Sequence, residues 1–253
     1  MIFVTGDLHG EHDIYKLDHL KEQIGSQLTR DDYVIILGDF GMIWSADTKY
    51  GYLDDQIRLK EYFEEKYPWT TLFIDGNHEN FVHLKKFPSK KWGGARANFL
   101  SEHCIWLRRG NIYTIDGKTI LTIGGAYSID KAWRRPYISW WPEEAITRSD
   151  INKAKRNLAA HKNKVDYILT HCAPTPIHQT IARQEKFTPH SHGKKPETQN
   201  EALLQEINEI AGFKRWYFGH YHIDREFEDG RFVCLYNQVQ VLHDDKPYNP
   251  VTK

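Results

Sequence analysis

Ile2-Phe3-Val4-Thr5-Gly6-Asp7-Leu8-His9-Gly10 opens the chain as an apolar run, cut off by a glycine and followed by ligand-type side chains. A short apolar, β-branched run bounded by a turn signal reads as a buried strand ending in a loop. The device returns twice. Tyr33–Leu37 runs into Gly38-Asp39, and residues 71–74 run into Asp75-Gly76-Asn77-His78-Glu79. Between the first two strands Ile14, Leu17, Leu20, Ile24 and Leu28 recur at spacings of three and four, the stripe of an amphipathic helix. Residues 53–67 read as a second helix, stopped by Pro68. Strand and helix thus alternate as in parallel βαβ units, whose sites are built at the carboxyl ends of the strands.

Beyond Cys104 the pattern shortens. Strands are expected at Cys104–Leu107, 112–115 and 119–123, the last two flanking the hairpin signal Asp116-Gly117. A polar helix is expected over 143–161, and a strand over 165–170 that runs into His171. An amphipathic helix over 201–211 is closed by Gly212, and Arg215–Phe218 is a strand running into Gly219-His220. A further hairpin is expected around Asp229-Gly230, leading into 232–236 and 239–242. No low-complexity linker divides the chain, so residues 1–253 read as a single α/β domain with mixed sheets.

Bulk composition narrows the function classes. Of 253 residues, 40% are hydrophobic and 27% charged, an ordinary globular balance. Lys plus Arg and Asp plus Glu both number 34, so no global attraction to nucleic acid or anionic membrane is implied. That neutrality favours a compact substrate. No apolar run approaches the roughly 20 residues of a membrane span. Neither a secretory leader nor a disulfide framework is visible, and Cys104, Cys172 and Cys234 read as reduced thiols of a cytoplasmic protein.

The polar residues after the strands form a constellation: Asp7 and His9; Asp39; Asn77 and His78; His171; His220 and His222. Taken singly, Gly38-Asp39 is a turn, His171 a satisfied or exposed histidine, and His220-x-His222 a surface strand. Taken together and in this order, they supply carboxylates, an amide and several imidazoles. That O/N set suits divalent Mn, Fe, Co, Ni or Zn and lacks the thiolates of structural zinc. In Asp-x-His and His-x-His, alternate residues of an extended segment reach the same side.

These motifs, from Asp7 to His222, resemble the calcineurin-like metallophosphoesterase superfamily, in particular bacterial and phage-encoded members. The resemblance implies a four-layer α/β/β/α sandwich of two mixed β-sheets flanked by helices. It also implies two divalent metal ions, with Mn foremost. One would be held by Asp7, His9, Asp39 and His222, the other by Asp39, Asn77, His171 and His220, with Asp39 shared. A water or hydroxide between the ions would be the nucleophile, and His78 would face the substrate as a catalytic residue. The implied activity is hydrolysis of a phosphate ester, first of all a phosphomonoester. A phosphodiesterase or nuclease acting on nucleotides or nucleic acid is the alternative, and a scaffold without catalysis would require missing ligands. One departure stands out: many members read Gly-Asp-x-x-Asp where this chain has Gly38-Asp39-Phe40-Gly41-Met42.

Around the centre, the 124–135 segment has two readings. It is either a solvated turn or a substrate rim, with Arg134 or Arg135 gripping phosphate and Trp133, Trp140 or Trp141 stacking on a base. Residues 183–199 read as a long loop, a candidate lid carrying His190 and His192 as candidate ligands of a third ion. His12 is a candidate support for His9. Cys172, beside His171, is not read as a nucleophile, because a nearby metal cluster already explains that strand end.

Overall fold

The alternation within β2 (Tyr33–Leu37) decides the layering: Val34 and Ile36 face one apolar core, and Ile35 and Leu37 another. A strand buried on both faces must be covered on both, and this chain covers one face with helices and the other with a second sheet. In the computed structural model the described residues are 1–44, 49–128, 130–184 and 198–242, with only the backbone described over 49–53.

The first sheet comprises β1 (Ile2–Thr5), β2, β3 (Thr70–Ile74), β4 (Ser89–Trp92), β5 (Ala95–Phe99), β6 (Cys104–Leu107) and β13 (Val239–Val241), in the order β13-β1-β2-β3-β6-β5-β4. Its centre, β1, β2, β3 and β6, is parallel. The second sheet comprises β7 (Asn111–Ile115), β8 (Lys118–Ile123), β9 (Tyr167–Thr170), β10 (Arg215–Phe218), β11 (Arg225–Phe227) and β12 (Phe232–Cys234), in the order β11-β12-β10-β9-β8-β7. Its centre, β8, β9, β10 and β12, is also parallel. Both sheets are mixed, because their outer strands pair antiparallel.

Three cores separate four layers. On the outside of the first sheet, α1 (Tyr15–Ile24), the helix running from α2 (Lys49–Arg58) into a π-helical stretch (Leu59–Lys66), and the short α3 (Phe81–Leu84) bring Leu17, Leu20, Leu59, Phe63 and Leu84 against Val34, Ile36 and Phe73. Between the sheets, Val4, Ile35, Leu37 and Leu72 meet Tyr167, Leu169, Tyr217 and Val233. On the far side α4 (Arg148–Ala160), α5 (Thr175–Gln184) and α6 (Gln199–Asn208) cover Ile168, Trp216 and Phe218 with Ile151, Leu158, Ile177, Ile181 and Leu204. Each such side chain contributes roughly 1.5–3 kcal/mol of burial, so the sheet ends are held on a rigid frame.

Several sequence expectations need correcting. The helix expected over 143–161 begins only at Arg148, because Thr147 and Asp150 form a capping box and Pro142–Glu144 is a separate 3-10 turn. The hairpin expected around Asp229-Gly230 joins β11 to β12, but of the segments it leads into β12 lies in the second sheet and β13 in the first. The β4–β5 hairpin was not anticipated, since Ser89-Lys90-Lys91 is an exposed edge with no apolar alternation. Nor was α5, part of the expected 183–199 loop being its last turn. His190 and His192 lie outside the described residues. Among the described residues, no helix is long and apolar enough to cross a membrane.

Candidate metal centre

The parallel neighbours β1, β2 and β3 end level with one another, so Asp7, Asp39 and Asn77 leave one edge of the first sheet side by side. His171 and His220 leave the matching edge of the second sheet after the parallel pair β9 and β10. The two edges interlock. A β-carbon on Gly219, from the second sheet, would lie 2.2 Å from Asp7 Oδ1, and within the first sheet one on Gly76 would lie 2.1 Å from Asp39 Oδ1. Only glycine lets the loops approach the carboxylates this closely. Four of the site residues adopt left-handed backbone: His9 (φ 46°), Asp39 (φ 46°), His220 (φ 69°) and His222 (φ 53°). Such strain in non-glycine residues persists where the surrounding structure over-determines it. Here part of the restraint is visible, as Asp39 O accepts the N–H groups of Leu8 and His9 at 3.0 and 2.7 Å.

The side chains expected at the centre converge. Asp7, His9 and His222 offer ligand atoms within 4.8 Å of one another, as do Asp7, Asp39 and His171, and also His9, Asp39 and His78. His9 Nε2 lies 3.3 Å from Asp39 Oδ2, His171 Nε2 3.2 Å from Asp39 Oδ1, and His222 Nε2 3.0 Å from Asp7 Oδ2. Asn77 Oδ1 is 3.2 Å from His171 Nε2. His220 stands with its ring 5.0 Å from that of His171, and its backbone N–H donates to Asp7 Oδ1 at 2.9 Å.

Partners outside the cluster orient two of the histidines. His171 Nδ1–H donates to Leu37 O at 2.7 Å, and His9 Nδ1–H donates to Asp13 Oδ2 at 2.7 Å. In each case Nε2 is left facing the carboxylates, the arrangement metal-ligating histidines adopt. Tyr236 supports the same corner: it stacks on His222 at 4.4 Å and its hydroxyl donates to Asp13. Glu79 clamps the second loop to the third, accepting from Phe40 N at 2.8 Å and Gly76 N at 3.3 Å. Lys16, buried under the first loop, donates to the carbonyls of Asp7 and of Tyr236. Asp13, Tyr236 and Lys16 lie beyond the strand-end motifs and carried no signal in sequence. Glu79 was in view inside Gly76-Asn77-His78-Glu79 without a role.

The donor set fits divalent ions. Asp7 and Asp39 are buried carboxylates, and Asp7 Oδ2 faces His222 Nε2 at 3.0 Å. Burial is the largest influence on Asp39 and pushes its pKa up, but the His171 charge and the hydrogen bonds from His171 and His9 outweigh it and hold the group well below the usual carboxylate range. Asp7 is lowered in the same sense, with burial opposed by His171 and His222. Reciprocally, burial lowers His9 and His171, yet the two carboxylates override it and push both up to about 9. Without metal, imidazolium protons therefore balance the buried negative charge. Metal must displace those protons, so loading at pH 7.5 is expected to release up to about two protons per chain. Affinity for metal should fall as pH drops below about 9. Calorimetric titration in buffers of different ionisation enthalpy measures the release. Uptake of protons, or none exchanged, would contradict it.

His78 sits at the rim. Burial first, then the charges of Arg134 and His9, lower its pKa and favour the neutral imidazole. Arg134 lies against the ring, with Nη1 3.3 Å from Nδ1 and Nη2 3.2 Å from Nε2, and is itself held by Asp130 at 2.7 Å. Trp44 stacks over the same ring at 6.3 Å. In front lies an open cleft of about 530 Å³ lined by His9, His12, Trp44, Arg58 and His78 among others. Of the two rim arginines, Arg134 meets the site, while Arg135 is exposed and touches Ser139 through its backbone. Trp141 is buried against Trp44 and is not a stacking platform, whereas Trp133 is 80% exposed. Cys172 is buried in the core under α4–α6.

A model of the calcineurin-like phosphoesterase family matches residues 1–224, and the chain belongs to that family. It is 27% identical over 241 residues to the human lariat debranching enzyme, covering 88% of this chain and 42% of the relative. The Danio rerio lariat debranching enzyme is 24% identical, with 88% and 40% covered. The chain thus spans about two-fifths of the length of these curated relatives. Among solved structures, a Staphylococcus aureus protein described as a 5'-nucleotidase superposes with a TM-score of 0.48 at 14% identity, covering 94% of this chain and 49% of that one. The family uses divalent metals, in keeping with the donor set assembled here.

Proposed function

We propose that the chain is a metal-dependent hydrolase of phosphate esters. Asp7, His9, Asp39 and His222 would hold one divalent ion, and Asp39, Asn77, His171 and His220 the other. One observation carries this reading: two buried carboxylates stand among imidazoles whose Nε2 atoms are turned toward them by outside acceptors. Mn is the ion we expect, and the O/N set also accommodates Fe, Co, Ni or Zn.

When bound, the ions supply an activated water near neutral pH and positive charge for phosphate oxygens. The chain supplies the rest. Arg134 presents a guanidinium beside the His78 ring, suited to a phosphate oxygen. His78, held neutral, offers an N–H to the phosphate or to the leaving oxygen. Trp44 lines the cleft over the His78 ring, with Trp141 packed against it.

Neutral net charge favours a phosphomonoester. A second reading, hydrolysis of a phosphodiester in nucleic acid, is favoured by one feature. The loop that carries Arg134 also exposes Trp133, Tyr137 and Ile138, a surface suited to bases beside a phosphate clamp. The likeness to lariat debranching enzymes supports the same side. The test loads the protein with Mn and offers p-nitrophenyl phosphate, bis-p-nitrophenyl phosphate and a short RNA. Turnover of one or more, abolished by a chelator and restored by Mn, is expected. Failure to bind two ions would sink the metal-dependent reading, and the preferred substrate separates monoester from diester.

A further inference from the structure

Asn77 is the one neutral amide in the proposed ligand set, and an amide is asymmetric: Oδ1 can bind a cation, whereas Nδ2 is a pure donor. Something must decide which end faces the ions. Asn77 Nδ2–H donates to Ser128 Oγ at 3.1 Å, and Ser128 Oγ–H donates to Glu144 Oε2 at 2.9 Å. Glu144 Oε1 accepts Ser128 N–H at 2.8 Å and pairs with Lys131 Nζ at 2.8 Å. Asn77, Ser128 and Glu144 are each at most 4% exposed, so water does not compete for these groups.

The direction of the chain follows from its last member. A carboxylate only accepts, and Ser128 has a single hydroxyl proton, which goes to Glu144. The lone pairs of Ser128 therefore face Asn77 and accept only its NH₂ end. Oδ1 is left toward the cluster, 3.2 Å from His171 Nε2. We propose that Ser128 and Glu144 are positioning residues that hold the Asn77 carboxamide in its metal-binding orientation. The proposal rests on the metal-ligand reading of Asn77 given above.

Supporting residues of this kind typically change metal affinity 10–100-fold. In Mn titrations followed by calorimetry and EPR, the wild-type chain should bind two ions. Ser128→Ala should lose about 10–100-fold in affinity for one ion and leave the other unchanged. Glu144→Gln keeps the shape of the buried side chain and decides the matter if Ser128→Ala fails to fold. Its oxygen stays on Lys131 and Ser128 N–H, so its NH₂ faces Ser128 Oγ, reverses the hydroxyl and turns Asn77 the wrong way. It should show the same loss at one ion.

The Asn77→Asp background removes the asymmetry, because a carboxylate has an oxygen on either side. There Ser128→Ala should no longer weaken binding, and Glu144→Gln should strengthen it by letting Ser128 donate to the new carboxylate. An equal loss in both backgrounds would mark a merely structural role and overturn the proposal, as would unchanged affinity in both single variants. A wild-type chain that binds no Mn would instead bring down the ligand reading itself.

Discussion

Asp39→Asn should abolish stable binding of two metal ions and lower turnover with Mn by on the order of 10³-fold, the several kcal/mol that metal-ion charge supplies. The substitution is nearly isosteric, so the consequence is electrostatic. Asp39 Oδ1 accepts the N–H groups of Asn77 and His78 at 2.8 and 2.7 Å, and an asparagine oxygen can keep both bonds. What is lost is the anion between His9 Nε2 and His171 Nε2, at 3.3 and 3.2 Å. Neither imidazole then has its buried counter-charge, and a donor NH₂ stands on the side of Asp39 Oδ2. Metal content by elemental analysis, measured beside turnover, checks the claim. A variant with two ions and near-native turnover would refute the bridging role.

His78→Ala should separate rate from metal. The expected loss is 10²–10⁴-fold in kcat, the usual range for a positioned proton donor, with metal content unchanged. The geometry raises a competing role, because a His78 ring nitrogen lies within 4.8 Å of ligand atoms of His9 and Asp39. Arg134 argues against it. Its guanidinium lies 3.2–3.3 Å from both ring nitrogens, and a second cation on the same imidazole would be repelled. Loss of one ion from the His78→Ala protein would reverse this assignment and make His78 a ligand.

The centre was legible in sequence for a local reason. Apolar runs such as Tyr33–Leu37 mark buried strands, and glycine followed by Asp, Asn or His marks where each strand stops and a ligand-type side chain emerges. Asp7, Asp39, Asn77 and His220 all follow that rule, and His171 follows its strand directly, without a glycine. The 143–161 helix was overextended because its polar residues fit a solvated helix as well as a loop. The signal that shortens it, Thr147 with Asp150 three residues on, lay inside the expected span. That error hid Glu144, which fell inside the expected polar helix and is in fact buried against Ser128 and Lys131.

The sequence by itself determined which residues leave the strand ends and that they are oxygen and nitrogen donors, because strand formation and chain reversal depend on neighbouring residues. Only the tertiary structure decided how the two sheet edges interlock, so that His171 from one sheet reaches Asp39 of the other at 3.2 Å. It alone paired Asp13 with His9, Arg134 with His78, and Glu144 through Ser128 with Asn77. Apart from the four-residue step between Asp13 and His9, those pairs join positions far apart in the chain. Their partners are chosen by packing of the four layers, and no local pattern of residues records that choice.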